Sequence, residues 1–103
     1  MSYVANTILT FGVLEDAKLR LAEVNKFFDD DCKGFVDCND ESLPIGWYGG
    51  SKMLETNICI GAFNYLKVDE LIEHLREIKW EEPKNVQLII QNQNDEKFAI
   101  KEL

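Results

Sequence analysis

Residues 3–11 read YVANTILTF, and this short run decides the kind of fold that the chain can form. It is rich in β-forming residue types, and its period of two matches the alternation of side chains along a strand. One set of side chains consists of Tyr3, Ala5, Thr7, Leu9 and Phe11. The other set consists of Val4, Asn6, Ile8 and Thr10. The run therefore predicts a strand with two distinct faces.

After Glu15 the hydrophobic pattern changes to a helical period. The apolar positions of this predicted helix are Ala17, Leu21, Val24 and Phe28. The charged residues assigned to its other faces are Lys18, Arg20, Glu23 and Lys26. A second amphipathic helix is predicted from an N-cap at Asp69, with Pro83 just beyond its end. Its apolar stripe consists of Leu71, Ile72, Leu75 and Ile78.

The remaining β-type runs lie at 35–37, 54–63, 86–91 and 98–103. The predicted order is strand, helix, strand, strand, helix, strand, with an extra strand at the carboxyl end. This β-α-β-β-α-β order is similar to that of the ferredoxin-like sandwich, an α+β fold with an antiparallel sheet and two helices on one face. The similarity is one of topology and implies no function.

Length and composition predict a single globular domain spanning residues 1–103. Apolar residues make up 46% of the chain and charged residues 29%, a mixture typical of neither disordered chains nor membrane spans. The first fifteen residues lack the uninterrupted apolar core of a secretory signal, and the three cysteines show no scaffold spacing. We therefore expect a cytoplasmic protein with free thiols.

The chain is acidic, with nineteen acidic residues against eleven basic ones and a net charge of −8. This charge repels phosphate backbones, so we expect no direct nucleic-acid binding. Carboxylates gather around the predicted second strand, at Asp29, Asp30, Asp31, Asp37, Asp40 and Glu41. The cluster is interpreted either as a solvated rim or as an acidic face for a basic partner.

The segment from Leu43 to Lys52 combines two large aromatic residues with three glycines. Its candidate binding residues, which offer aromatic rings, close backbone approach and a cation, are Trp47, Tyr48, Gly49, Gly50 and Lys52. The alternative is a hairpin connection plugged by Trp47. A phosphate loop is not indicated, because that motif places its lysine before a serine or threonine that opens a helix.

No catalytic, metal or cofactor site is predicted. Cys32, Cys38, Cys59 and His74 are scattered, whereas structural zinc sites usually draw their ligands from close pairs. A cysteine nucleophile would need His74 beside it, and His74 is assigned to a helix surface.

The sheet face without helices is predicted to carry almost no charge apart from Glu55. Its members are Val4, Asn6, Ile8, Thr10, Asn57, Cys59, Gln87, Ile89 and Gln91. Such a mixture suits a ligand floor, with Asn6, Asn57 and Gln87 as binding residues, or a homodimer interface around Ile8 and Ile89.

These observations favour a small acidic non-enzymatic binding protein. The leading hypothesis is a protein-interaction module or inhibitor of the immunity or phage counter-defence type. The alternatives are a domain that binds a nucleotide-like metabolite and, third, a small enzyme of unknown class. The expected partner is a protein, with a basic surface as one option, or a small molecule.

Overall fold

The computed structural model describes residues 2–38 and 56–103. Within them lie five strands and two α-helices, named here in chain order: β1 (Val4–Gly12), α1 (Ala17–Asn25), β2 (Val36–Asp37), β3 (Thr56–Asn64), α2 (Val68–Glu77), β4 (Gln87–Asn92) and β5 (Ala99–Lys101). A short 3-10 turn, Pro83–Asn85, precedes β4. Every predicted element of the described chain is present, with its ends moved by one to a few residues.

The strands form one antiparallel sheet in the order β2-β3-β1-β4-β5. The central strand β1 pairs with β3 along its whole length, from Val4 opposite Asn64 to Gly12 opposite Thr56. On its other side β1 pairs with β4, with Ile8 opposite Ile89. The α+β class is confirmed, whereas the ferredoxin-like sandwich is not established by this strand order and stays a prediction.

The two faces of β1 differ as its alternation predicts. Ala5, Thr7, Leu9 and Phe11 are buried, and the residues between them are only half-buried. Ala5, Leu9 and Phe11 pack in one core with Val24 of α1. Leu71 and Leu75 of α2, together with Leu88 and Ile90 of β4, complete that core. Both helices therefore cover the same side of the sheet.

The predicted faces of β3 were wrong. Cys59 lies opposite Leu9 and Asn57 opposite Phe11, so both belong to the helix side rather than to the helix-free face. Both alternating sets of β3 contain apolar residues, and its period of two does not choose between them. The large ring of Phe63 decides the choice, because it stacks on Phe28 at a centroid distance of 4.3 Å inside the core.

The helix ends also differ from the predictions. α2 begins after Lys67, which occupies the N-cap position, and Asp69 lies in the first turn. A carboxylate there interacts favourably with the positive end of the helix dipole without capping it. α1 is capped by the Asp16 side chain, which accepts a hydrogen bond from the Leu19 amide.

Arg20 was predicted on an outer face of α1 but is buried. Its Nε donates to Glu15 Oε1 at 2.8 Å, and its Nη1 donates to Glu23 Oε1 at 2.8 Å. The prediction was wrong because it assumed that a charged side chain must face solvent. A guanidinium can be buried where carboxylates pair with it.

The buried Glu15 carboxylate joins two distant connections. Besides the bond from Arg20, it accepts hydrogen bonds from the amides of Glu81 at 3.0 Å and Glu82 at 2.8 Å. Beside it, Trp80 packs on Phe11, and its indole N–H donates to the Leu75 carbonyl at 2.9 Å. The β1–α1 connection is thereby fastened to the segment between α2 and β4.

We predict that Glu15→Gln lowers the free energy of unfolding at neutral pH by about 2–4 kcal/mol, because bonds to a buried charge are lost. Burial alone would raise the pKa of Glu15, but the bonds from Arg20, Glu81 and Glu82 outweigh it and hold the pKa below its ordinary value of 4.5. The stabilisation is therefore complete above pH 4.5 and is lost as the pH falls through the folded pKa.

Urea denaturation of both proteins across this acid range measures the difference. The control is Glu96→Gln, which changes an exposed carboxylate and is expected to leave stability almost unchanged. A Glu15→Gln deficit that stays constant down to the lowest pH would contradict the role given to the Glu15 charge.

Candidate functional site

The structure separates the predicted binding residues. Asn6 and Gln87 lie on the helix-free face, as predicted. Asn57 lies on the helix side, and its amide donates to the Gly12 carbonyl at 2.9 Å, so it does not serve as a ligand group on the opposite face. The predicted residues Asp40, Glu41, Trp47, Tyr48, Gly49, Gly50 and Lys52 lie outside the described residues, as does Glu55.

The aspartates 29–31 are exposed on the connection from α1 to β2. The end of this connection is anchored by Asn25, whose side chain accepts from the Phe35 amide at 2.8 Å and donates to the Phe35 carbonyl at 3.0 Å. Gly34 has a φ of +74°, and a Cβ there would collide with the Asn25 Oδ1 atom. A glycine is therefore required for the chain to pass Asn25 and enter β2.

Beside these aspartates lies a groove of about 570 Å³ between the α1–β2 connection and the start of α2. Its apolar wall includes Phe27 and Phe28, which meet edge to face at 5.2 Å, and the exposed Tyr65. Its charged lining consists of Asp29, Asp31, Glu70 and Lys67. The groove is thus an aromatic cleft with three carboxylates and one ammonium at its rim.

The acidic surface continues along α2. A second, smaller depression of about 340 Å³ is lined by Asp69, Glu70, Glu73, His74 and Glu77. Glu70 lines both depressions, so the two adjoin. We name the combined surface the acidic face, and it consists of Asp29, Asp31, Asp69, Glu70, Glu73 and Glu77.

Charge on the acidic face is only partly compensated within the described residues. Glu73 pairs with Arg76 at 3.0 Å, one turn along α2, and this pair is largely exposed. Exposed pairs of this kind contribute little to stability, since solvent screens them. The other carboxylates of the face are exposed and form no ion pair with the described chain.

The sequence predicted only two of the six residues of this face. Asp29 and Asp31 were identified, whereas the four α2 residues were missed because only the apolar stripe of that helix was considered. A signal was present, since Glu70, Glu73 and Glu77 recur at spacings of three and four and therefore share one side of a helix. Asp37 lies apart, in the edge strand β2 opposite Cys59.

His74 takes part in the packing between the two helices. Its Nε2 lies 2.8 Å from the Glu23 carbonyl oxygen, to which it donates, and its ring lies 5.6 Å from that of Phe27. It is half-buried rather than on the open surface of α2. The structure thus uses this imidazole to join α2 to α1.

Two of the three cysteines, Cys38 and Cys59, lie in environments that oppose nucleophilic reactivity. Burial raises the pKa of Cys59 to about 12, and the nearby Asp37 carboxylate adds to the effect. Burial and Asp37 also raise the pKa of Cys38. Thiolate is the reactive form, so both environments oppose reaction. Within residues 2–38 and 56–103, no three His, Cys, Asp or Glu side chains lie close enough together to hold a metal ion.

The chain was compared with protein families, curated proteins and solved structures. No family model, no curated protein and no solved structure is significantly similar to the chain. In the described part, neither helix has the length and apolarity needed to cross a bilayer. Function must therefore be argued from the surfaces themselves.

We predict that a thiol-reactive alkylating agent modifies Cys32 in the folded protein, because Cys32 is exposed, and leaves Cys59 unmodified at mildly alkaline pH. Peptide mass spectrometry after timed quenching measures the order of reaction. The control is the same reaction in concentrated urea, where all three thiols should react at similar rates. If Cys59 in the folded protein reacted as fast as Cys32, the buried position assigned to Cys59 would be contradicted.

Proposed function

We propose that this chain is a small acidic non-enzymatic binding protein, an interaction module or inhibitor that engages a basic protein partner. The acidic face is its binding surface. The observation that carries the proposal is the groove in which Asp29, Asp31 and Glu70 surround an aromatic wall. This combination matches the two parts of a basic side chain, a charged head and an apolar stem.

Charge at the groove favours arginine and lysine. A guanidinium or ammonium that enters it meets three carboxylates. The net charge of −8 also accelerates encounter with a cationic protein and repels other acidic surfaces.

The described ionisable groups support binding rather than catalysis. The buried pair Glu15 and Arg20 is fully occupied in joining the helices to the chain around Trp80. His74 and the raised-pKa cysteines are likewise part of the packing. General acid–base chemistry needs groups that converge on one substrate, and these groups lie in separate parts of the fold.

A second candidate is a domain that binds a nucleotide-like metabolite on the helix-free face. The observation in its favour is an uncharged depression of about 690 Å³, lined by Asn6, Ile8, Ile60 and Phe98 among others. A flat ring suits such a floor, although the acidity of the chain opposes a phosphate. We also propose that the fold is a ferredoxin-like sandwich and that the protein is cytoplasmic. The position of β1 between β3 and β4 supports the proposed fold.

The test uses a short poly-arginine peptide as a defined basic partner, with binding measured by calorimetry in low-salt buffer. We expect binding that weakens with added salt, and Asp31→Asn/Glu70→Gln should raise Kd about two- to thirtyfold, since it removes two exposed ion pairs worth about 0.2–1 kcal/mol each. Both residues are exposed, so the variant should fold normally.

The matched control is Glu96→Gln/Glu102→Gln, which removes the same charge at exposed positions outside the acidic face. It should change Kd much less than the face variant does. Equal weakening by the two variants would show that only net charge matters, and an absence of binding to the peptide would contradict a basic partner altogether.

A further inference from the structure

Five branched aliphatic residues form a straight row across the helix-free side of the sheet. The strand register places one on each strand, in the order Val36, Ile60, Ile8, Ile89 and Ile100. Val36, Ile60 and Ile100 are 48%, 49% and 61% exposed, which is unusual for such side chains. We name this set the aliphatic row, and Ile8 lies at its centre.

The rows on either side are uncharged. One contains Ile58, Thr10 and Gln87, and the other contains Ala62, Asn6 and Gln91. Phe98, just before β5, lines the same depression as Ile8 and Ile60. Charged residues make up 29% of the chain, yet these rows contain none. The aliphatic row and its neighbours are called the open face below.

The open face has the chemistry to pack against its own copy. A two-fold axis in the interface plane that passes over Ile8 lays the aliphatic row against the same row of a second chain. The flanking amides and hydroxyls of Asn6, Thr10, Gln87 and Gln91 then meet groups of the same kind, which both donate and accept hydrogen bonds. None of the residues named in these three rows carries a charge, although Glu82 and Lys84 line a depression next to Thr10 and Gln87.

The distribution of charge allows this pairing despite a net charge of −8. The acidic residues of α2 lie on the helix side, because Leu71 and Leu75 pack against the side of the sheet opposite the open face. Two copies joined through their open faces therefore hold these carboxylates on the outer surfaces of the pair. Repulsion between them is screened beyond about 8 Å at physiological salt.

The size of the open face sets how strongly two copies can associate. The aliphatic row crosses five strands spaced about 4.8 Å apart, a width of about 24 Å, whereas each flanking row crosses three strands, a width of about 14 Å, and same-face rows lie about 7 Å apart. These rows offer roughly 350 Å² per copy, so a pair buries roughly 700 Å², the size of a weak and transient interface. The dimer should therefore form only at high protein concentration.

We propose that the chain forms a symmetric homodimer in which the open face of one copy packs on the open face of the other, with the aliphatic row at its centre. Water-exposed isoleucines on a charge-free sheet face are covered in this way, and the acidic face stays accessible. The dimer is an inference beyond the proposed function, because its interface residues are different from those of the acidic face.

The test compares three proteins by sedimentation over a range of concentrations up to the high micromolar. Wild type should shift from monomer to dimer, and added salt should not dissociate the dimer. Ile60→Lys places an ammonium in the aliphatic row at an already exposed position, so it should stay folded and be monomeric throughout. Leu19→Lys, at an exposed position of α1, is the matched control and should dimerise like wild type.

Circular dichroism and thermal unfolding of Ile60→Lys establish that it is folded. Its Kd for the poly-arginine peptide should equal that of wild type, so failure of the dimer and failure of the acidic face are distinguishable. Wild type that remains monomeric at high micromolar concentration overturns the proposal, even if the open face binds lipid vesicles or another protein. Dimerisation of Ile60→Lys as strong as that of wild type overturns it equally.

Discussion

The pairing of β1 on both of its sides is the constraint on which the other features of the structure depend. Hydrogen bonds to β3 and β4 hold this strand at the centre of the sheet, so its two sets of side chains must face two different environments. The set containing Leu9 and Phe11 forms the floor of the core. The set containing Ile8 faces away from the helices and lies at the centre of the open face.

Burial of Glu15 and Arg20 gives the helix layer its position over that floor. A carboxylate that accepts from Arg20 and from two distant amides ties the start of α1 to the chain after α2. His74 joins the same helices further along, through the Glu23 carbonyl. The acidic face spans both the α1–β2 connection and α2, so its carboxylates keep their spacing only while these bonds hold the helices together.

The clustered carboxylates of α2 and the aliphatic row lie on opposite sides of the sheet. Carboxylates surround an aromatic groove on the helix side, and uncharged aliphatic side chains cover the other side of the sheet. The first arrangement favours cations, and the second favours a dry contact with an equally uncharged surface. The two proposals are compatible, because a domain with two such faces would associate with itself through one of them and present its charge to a partner through the other.

The sequence by itself determined the element types, because periods of two and of about 3.6 distinguish strands from amphipathic helices before any packing is known. It also assigned the faces of β1 and β4. Only the tertiary structure decided which face of β3 is buried, because both of its alternating sets contain apolar residues. In the structure Phe63 lies in the core and Ile60 lies on the opposite face. Likewise, only packing buried Arg20 beside Glu15 and brought Asp31 and Glu70 to one groove, because such contacts depend on residues far apart in the chain.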